Sequence, residues 1–208
     1  MVKILKSNHF LKAGALCLLV IVVAAIFGVR GVSAQKPTPD DQHPFGVLKA
    51  IDKSEQGLHA YKNALAAKVK KVKDAKQEDV FVTITFSDFV DKAALKDMAG
   101  KYHFKVRSVN LRAYEESGLP ATIQLAPTEA GQLIDEDTLS RMLDGNNANL
   151  AGIIELIGTV SYRDIEAFSS DSRVFIVDPS ADDIFMDNPK EIYMPGLFWY
   201  LEKNHMVN

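Results

Sequence analysis

Cysteine is all but missing from this chain of 208 residues: the single copy, Cys17, lies inside an apolar N-terminal stretch, so the remainder can form no internal disulfide. A fold without such staples must be stable on packing alone, which fits a bacterial cell envelope better than a small secreted eukaryotic domain. Acidic residues are missing from positions 1–34, where Lys3, Lys6, Lys12 and Arg30 are the charges. Residues 35–208 therefore carry all 27 acidic side chains against 20 basic ones, a net charge of −7. That balance keeps a domain soluble and repels polyanions, which excludes a nucleic-acid-binding role. Also missing are a G-x-S-x-G elbow, a Walker loop, a dinucleotide fingerprint and an H-E-x-x-H pair, so none of the corresponding mechanisms is assigned. The histidines, His9, His43, His59, His103 and His205, show no paired ligand spacing, which argues against a zinc site.

What is present begins with an unbroken apolar stretch, 13–29, opening at Ala13 and closing at Val29. At ~1.5 Å per residue it nearly covers a hydrocarbon core of ~30 Å. The lysines ahead of it favour a cytoplasmic N-terminus, which places everything after Arg30 outside. Val32-Ser33-Ala34 has the small residues of a signal-peptidase site, while the length of the stretch and Arg30 favour a retained anchor. Residues 1–34 are thus a signal peptide or a signal anchor. Membrane attachment runs through Ala13 to Val29 if cleavage near Ala34 does not occur.

A proline-rich linker, 35–45, follows and lifts the rest from the membrane. Residues 46–76 read as an amphipathic helix or helical hairpin, with Val47, Ile51, Leu58, Tyr61, Leu65 and Val69 near one face. Its end carries Lys68, Lys70, Lys71, Lys73 and Lys76, either a solvated face or a patch for anionic head groups. An α+β domain is expected over 79–208. Alternation predicts strands at 79–87, 103–115 and 121–125, the second with a β-bulge near Arg107-Ser108 where its phase slips. Asp91 is a helix cap and Gly100 a helix stop. A short helix is expected at 135–143, a polar loop at 144–149, a strand at 152–160, a helix from Ile165 to a stop near Ser170, and a closing strand at 173–178. Asn188-Pro189 opens a further helix. The run Leu197-Phe198-Trp199-Tyr200-Leu201 either docks on a core or forms a partner or membrane surface.

Strand, helix, strand from Asp79 and again from Gly152 give the order of a ferredoxin-like βαββαβ sandwich with a long mid-domain insertion. Within it, GTVSYRDIEAFSSDSRVFIVDPSAD, residues 158–182, resembles the end of the propeptide and stand-alone inhibitor domains of subtilisin-type proteases. The similarity lies in a short helix at Ile165 to Phe168, an acid at the turn, Asp171, and a strand through Val174, Ile176 and Val177 closing on Asp178. It implies the ferredoxin-like fold and a protease-inhibiting role. Family members present an extended C-terminal segment to the protease, whereas this chain continues past Asp178.

Two sets of acids invite chemical readings. Asp144 to Glu155 places oxygen ligands at the first, third and twelfth positions of a calcium loop, but Ala148 and Asn149 stand where a ligand and a glycine belong, so a plain polar loop is expected. Asp135-Glu136-Asp137, and Asp182-Asp183 with Asp187, read as solvated turns and helix starts rather than acid–base pairs. No residue is assigned to catalysis, a cofactor or a metal. The expected role is a non-catalytic extracytoplasmic interaction or regulatory domain with a protein partner, membrane-anchored or secreted. The alternatives are an inhibitor-like module and a cell-envelope enzyme of unrecognised type.

Overall fold

The computed structural model describes residues 51–180 and 196–207, all within the unit Pro39–Asn208. The apolar stretch 13–29, the site near Ala34, the linker 35–45, residues 46–50, the Asn188-Pro189 cap and Asp182, Asp183 and Asp187 lie outside them.

The helical segment after the linker is one helix, α1 (Glu55–Asp74). It starts later than its apolar pattern suggests because Ser54 caps it, accepting from Gly57 N–H at 3.1 Å. Strand β1 (Val80–Val90) leads through the Asp91 cap into α2 (Lys92–Lys101). Gly100 does not end this helix. The chain reverses at His103, which adopts a left-handed φ of 48° while Phe104 N–H returns to Ala99 C=O. Strand β2 (Lys105–Glu115) turns at Gly118, φ 82°, into β3 (Pro120–Leu125). Then come α3 (Glu136–Gly145), capped by Asp135, β4 (Ala148–Val160), α4 (Ile165–Ser169), β5 (Val174–Asp178) and α5 (Phe198–Lys203).

The strands form one antiparallel sheet in the order β3-β2-β4-β1-β5. The bulge expected near Arg107 is present: Val106 pairs with Gly158 but Ser108 with Ile157, so Arg107 is the extra residue. Strand β4 begins at Ala148, four residues before Gly152, because Tyr114 and Ala113 of β2 pair with Asn149 and Leu150. The loop at 144–149 is correspondingly shorter, and the calcium-loop spacing from Asp144 to Glu155 falls mostly on an extended strand that cannot wrap an ion.

The first face of the sheet carries Val82, Ile84, Phe86, Val109, Leu111 and Leu156, and α2, α3 and α4 close over it with Leu95, Met98, Leu139, Ile165 and Phe168. Tyr102 stacks on Phe168 at 4.4 Å and Phe104 meets the same ring edge-on at 5.5 Å. Asp171 staples this corner. It accepts from Tyr102 Oη at 2.7 Å and from Arg173 Nε and Nη2 at 2.9 and 2.8 Å. The Arg173 guanidinium is the main reason its carboxyl lies well below the usual carboxylate range. A depressed folded-state value contributes stability above the ordinary pKa of 3.8, and that contribution disappears as the pH falls below it. Asp171→Asn is therefore expected to cost about 1–2 kcal/mol at pH 7 and to shrink the loss of stability on acidification, measured by urea unfolding from pH 7 down to about 2.

The second face is closed by α1, through Leu58 and Leu65, and by α5, through Phe198 and Leu201, against Ile154, Phe175 and Ile176. Of the aromatic run, Leu197, Phe198 and Leu201 are buried and Trp199 is half exposed.

Candidate functional site

On β2 the residues that alternate with the core-facing Val109, Leu111 and Ala113 are polar: Ser108, Asn110 and Arg112. In a sheet with one covered face these would meet water. Here they are buried, together with Thr83 and Thr85 of β1 and Glu155 of β4. The register sets Thr85, Glu155, Asn110 and Gln124 side by side in one row across four strands.

That row receives the C-terminal segment. Helix α5 has no side-chain cap of its own, so its first N–H groups need acceptors from elsewhere. Leu197 N–H donates to Thr85 Oγ1 at 3.2 Å and Phe198 N–H to Glu155 Oε1 at 3.1 Å. Asn110 Nδ2 donates to the other oxygen, Glu155 Oε2, at 2.9 Å. The sheet thus caps a helix more than forty residues away in sequence from Glu155. Gly196 is what lets the segment come so close, since a Cβ there would lie 1.8 Å from Glu155 Oε1.

Burial pushes the Glu155 carboxyl up, opposed by its hydrogen bonds from Asn110 and Phe198 and by the charge of Arg112, while Glu202 adds to the rise. A raised folded-state value means that the folded protein holds this proton more tightly than the unfolded chain. Stability from this group is present at low pH and is lost as pH climbs upward from the ordinary 4.5. Asn110 Oδ1, buried and without a partner among the described residues, sits on the amide beside this carboxyl. Glu155→Gln keeps the shape and removes the titration. It is expected to hold or raise stability at pH 7 and to flatten its decline between pH 5 and 8, read by urea midpoints across that range.

A second clamp lies one turn along α5. Arg112 forks onto Glu202, Nε to Oε1 at 2.9 Å and Nη2 to Oε2 at 2.6 Å, and gives Nη1 to Thr122 Oγ1 of β3 at 2.6 Å. Tyr114 Oη donates to the same Glu202 at 3.0 Å, and the Trp199 ring covers the guanidinium at 5.4 Å. Asn204 Nδ2 reaches Lys53 C=O at 2.7 Å, tying the end of α5 to the entry of α1. Chemically the arrangement is a latch: its carboxylates, guanidinium and hydroxyls are engaged with one another and with the segment they hold.

The residues singled out in the sequence are dispersed around this latch. Asp135 caps α3 through Thr138, and Glu136 pairs with Lys92. His59 packs edge-on against Phe175, His103 faces Asp164 at 3.2 Å, and His205 lies past the end of α5. Among the described residues no group of His, Cys, Asp and Glu is placed to hold a metal ion. In the lysine-rich end of α1, Lys68 bonds to Ser180 and Lys73 to Glu166. Tyr61 donates to Asp178 at 2.6 Å, and burial with that neighbouring charge pushes its hydroxyl up. Sequence reasoning does not single out Arg112, Asn110 or Glu202, and it meets Glu155 only as the twelfth position of the calcium-loop spacing. The available signal was a charge inside an apolar strand, as in Ile153-Ile154-Glu155-Leu156-Ile157. Comparison with protein-family models, curated proteins and solved structures returns no match.

Proposed function

We propose that this chain is a non-catalytic extracytoplasmic interaction or regulatory domain, anchored through residues 13–29 at the outer face of a bacterial cell membrane or released by cleavage near Ala34. Its fold is read as a ferredoxin-like sandwich, supported by the strand order β5-β1-β4-β2, with β3 added at the edge and α2 and α4 on one face. The observation that carries the interaction role is Trp199. A tryptophan half exposed to water, held on a buried guanidinium that also reaches Thr122 of the uncharged edge strand, is a rigid apolar anchor of the kind that dominates protein interfaces. A photo-crosslinking residue at Leu119, the most exposed large apolar side chain among the described residues at 61%, tests the role in the native cells. A specific protein adduct is expected. Recovery of the chain alone, at Leu119 and at Trp199 alike, would overturn it.

An inhibitor-like role is the second reading, favoured by the sequence of α4, the turn anchored by Asp171, and β5 closing on Asp178. It expects micromolar inhibition of a subtilisin-type protease; uninhibited turnover removes it.

A further inference from the structure

We infer that the edge of β3, free among the described residues, pairs with β3 of a second copy of this chain, joining two five-stranded sheets into one. This rests on the interaction reading and names its partner.

The hydrogen-bonding phase of β3 follows from the turn. Glu115 N–H donates to Leu119 C=O, and in an antiparallel pair bonded and non-bonded positions alternate. Ala121, Ile123 and Leu125, opposite Ala113, Leu111 and Val109, therefore spend their backbone groups on β2. Pro120, Thr122 and Gln124 turn theirs outward. Pro120 is admitted because its nitrogen faces away from the ladder. Thr122 and Gln124 are exposed and offer both an N–H and a C=O.

An edge of this kind templates another strand unless charges guard it. Pro120–Leu125 reads PATIQL and holds no charge, although residues 35–208 carry a net −7 that makes two copies repel elsewhere. Two copies therefore meet here without like charges opposite one another. The opposite edge strand, β5, has α1 against it: Tyr61 bonds to Asp178, and Lys62 lies over the Phe175 ring at 5.0 Å.

The register is also set. About a two-fold axis through Ile123, Thr122 faces Gln124 of the second copy and Gln124 faces its Thr122, so every outward N–H and C=O of these residues is used in both directions. An axis through Thr122 would set Gln124 against Pro120 of the second copy, which has no N–H to give. In the first register Trp199 lies at the seam, because Arg112 links its ring to Thr122 on the same face.

The experiment uses the full chain in a nonionic detergent, followed by light scattering and by the emission of Trp199, the single tryptophan. The mass is expected to rise from one copy to two over roughly 1–100 μM, with a blue shift of the emission over the same range. Gln124→Pro, which removes an outward N–H, and Gln124→Lys, which puts a charge on the edge and leaves the β2 ladder untouched, are both expected to stay at one copy. A wild-type chain that remains single at about 100 μM, or variants that pair as it does, would overturn the proposal. A photo-crosslinking residue at position 124 in native cells separates the two readings. An adduct of twice the chain's mass supports the pairing; an adduct with a different protein overturns it and leaves the interaction role standing; no adduct overturns the pairing, and the interaction role is then decided at Leu119 and Trp199.

Discussion

Arg112→Ala is expected to destabilise the protein by about 3–5 kcal/mol, the cost of removing one partner from a buried ion pair. The Arg112 side chain is 2% exposed and that of Glu202 16%, so neither lies in bulk water. Truncation leaves that carboxylate, among the described residues, with the Tyr114 hydroxyl alone and strips Thr122 Oγ1 and the Trp199 ring of their shared cation. Arg112→Lys keeps the charge but loses the fork, and should fall between wild type and alanine. The paired replacement Arg112→Met with Glu202→Leu removes both charges from the site and is expected to recover most of the loss. Urea unfolding followed by Trp199 emission measures all three. A loss below about 1 kcal/mol for Arg112→Ala would show that water reaches the pair and that the latch is a surface contact.

Gly196→Ala is expected to cost about 2–4 kcal/mol, more than a methyl group costs at an open site. The new Cβ would occupy the place of Glu155 Oε1, and the carboxylate has little room to retreat because Asn110 holds its other oxygen. Either Glu155 swings away and leaves Phe198 N–H unsatisfied, or residues 196–198 rise and Leu197 N–H leaves Thr85 as well. The two explanations share one test. In a Glu155→Ala background the added Cβ loses its obstacle, so the further effect of Gly196→Ala should fall below about 1 kcal/mol, a non-additivity characteristic of residues in contact. Equal effects in both backgrounds would place the strain elsewhere. Proteolytic cleavage near the C-terminus should also accelerate in the single variant, because lifting residues 196–198 also disturbs the packing of Phe198 that holds α5 on the sheet.

These two variants separate latch from surface. Loosening α5 displaces Trp199, on which the interaction role rests, whereas the pairing of β3 rests on the outward backbone groups of Thr122 and Gln124. The edge variants at Gln124 leave α5 in place and remove only outward backbone groups or neutrality.

Local sequence determined the elements where side-chain pattern and backbone requirement coincide. Alternation in Val80 to Phe86 and Val109 to Ala113 is a strand in any context, the slipped phase at Arg107 requires an extra residue, and Asp91 and Asp135 cap helices with their own oxygens. Where two local signals competed, tertiary pairing chose. Gly100 yielded to His103 as the reversal point, and Asn149 became strand rather than loop because Tyr114 of β2 lay opposite it. The latch was hidden for a different reason. Periodicity reports which side chains share a face of a sheet, and it placed Thr83 and Thr85 opposite the core-facing Val82 and Ile84. It does not report whether water or protein lies over that face. That was decided by α1 and α5, which arrive from the two ends of the domain, and by Arg112 meeting Glu202 across 90 residues. A contact of that separation leaves no local pattern, since each partner alone reads as an ordinary charge. Only the folded chain shows that their solvent is each other.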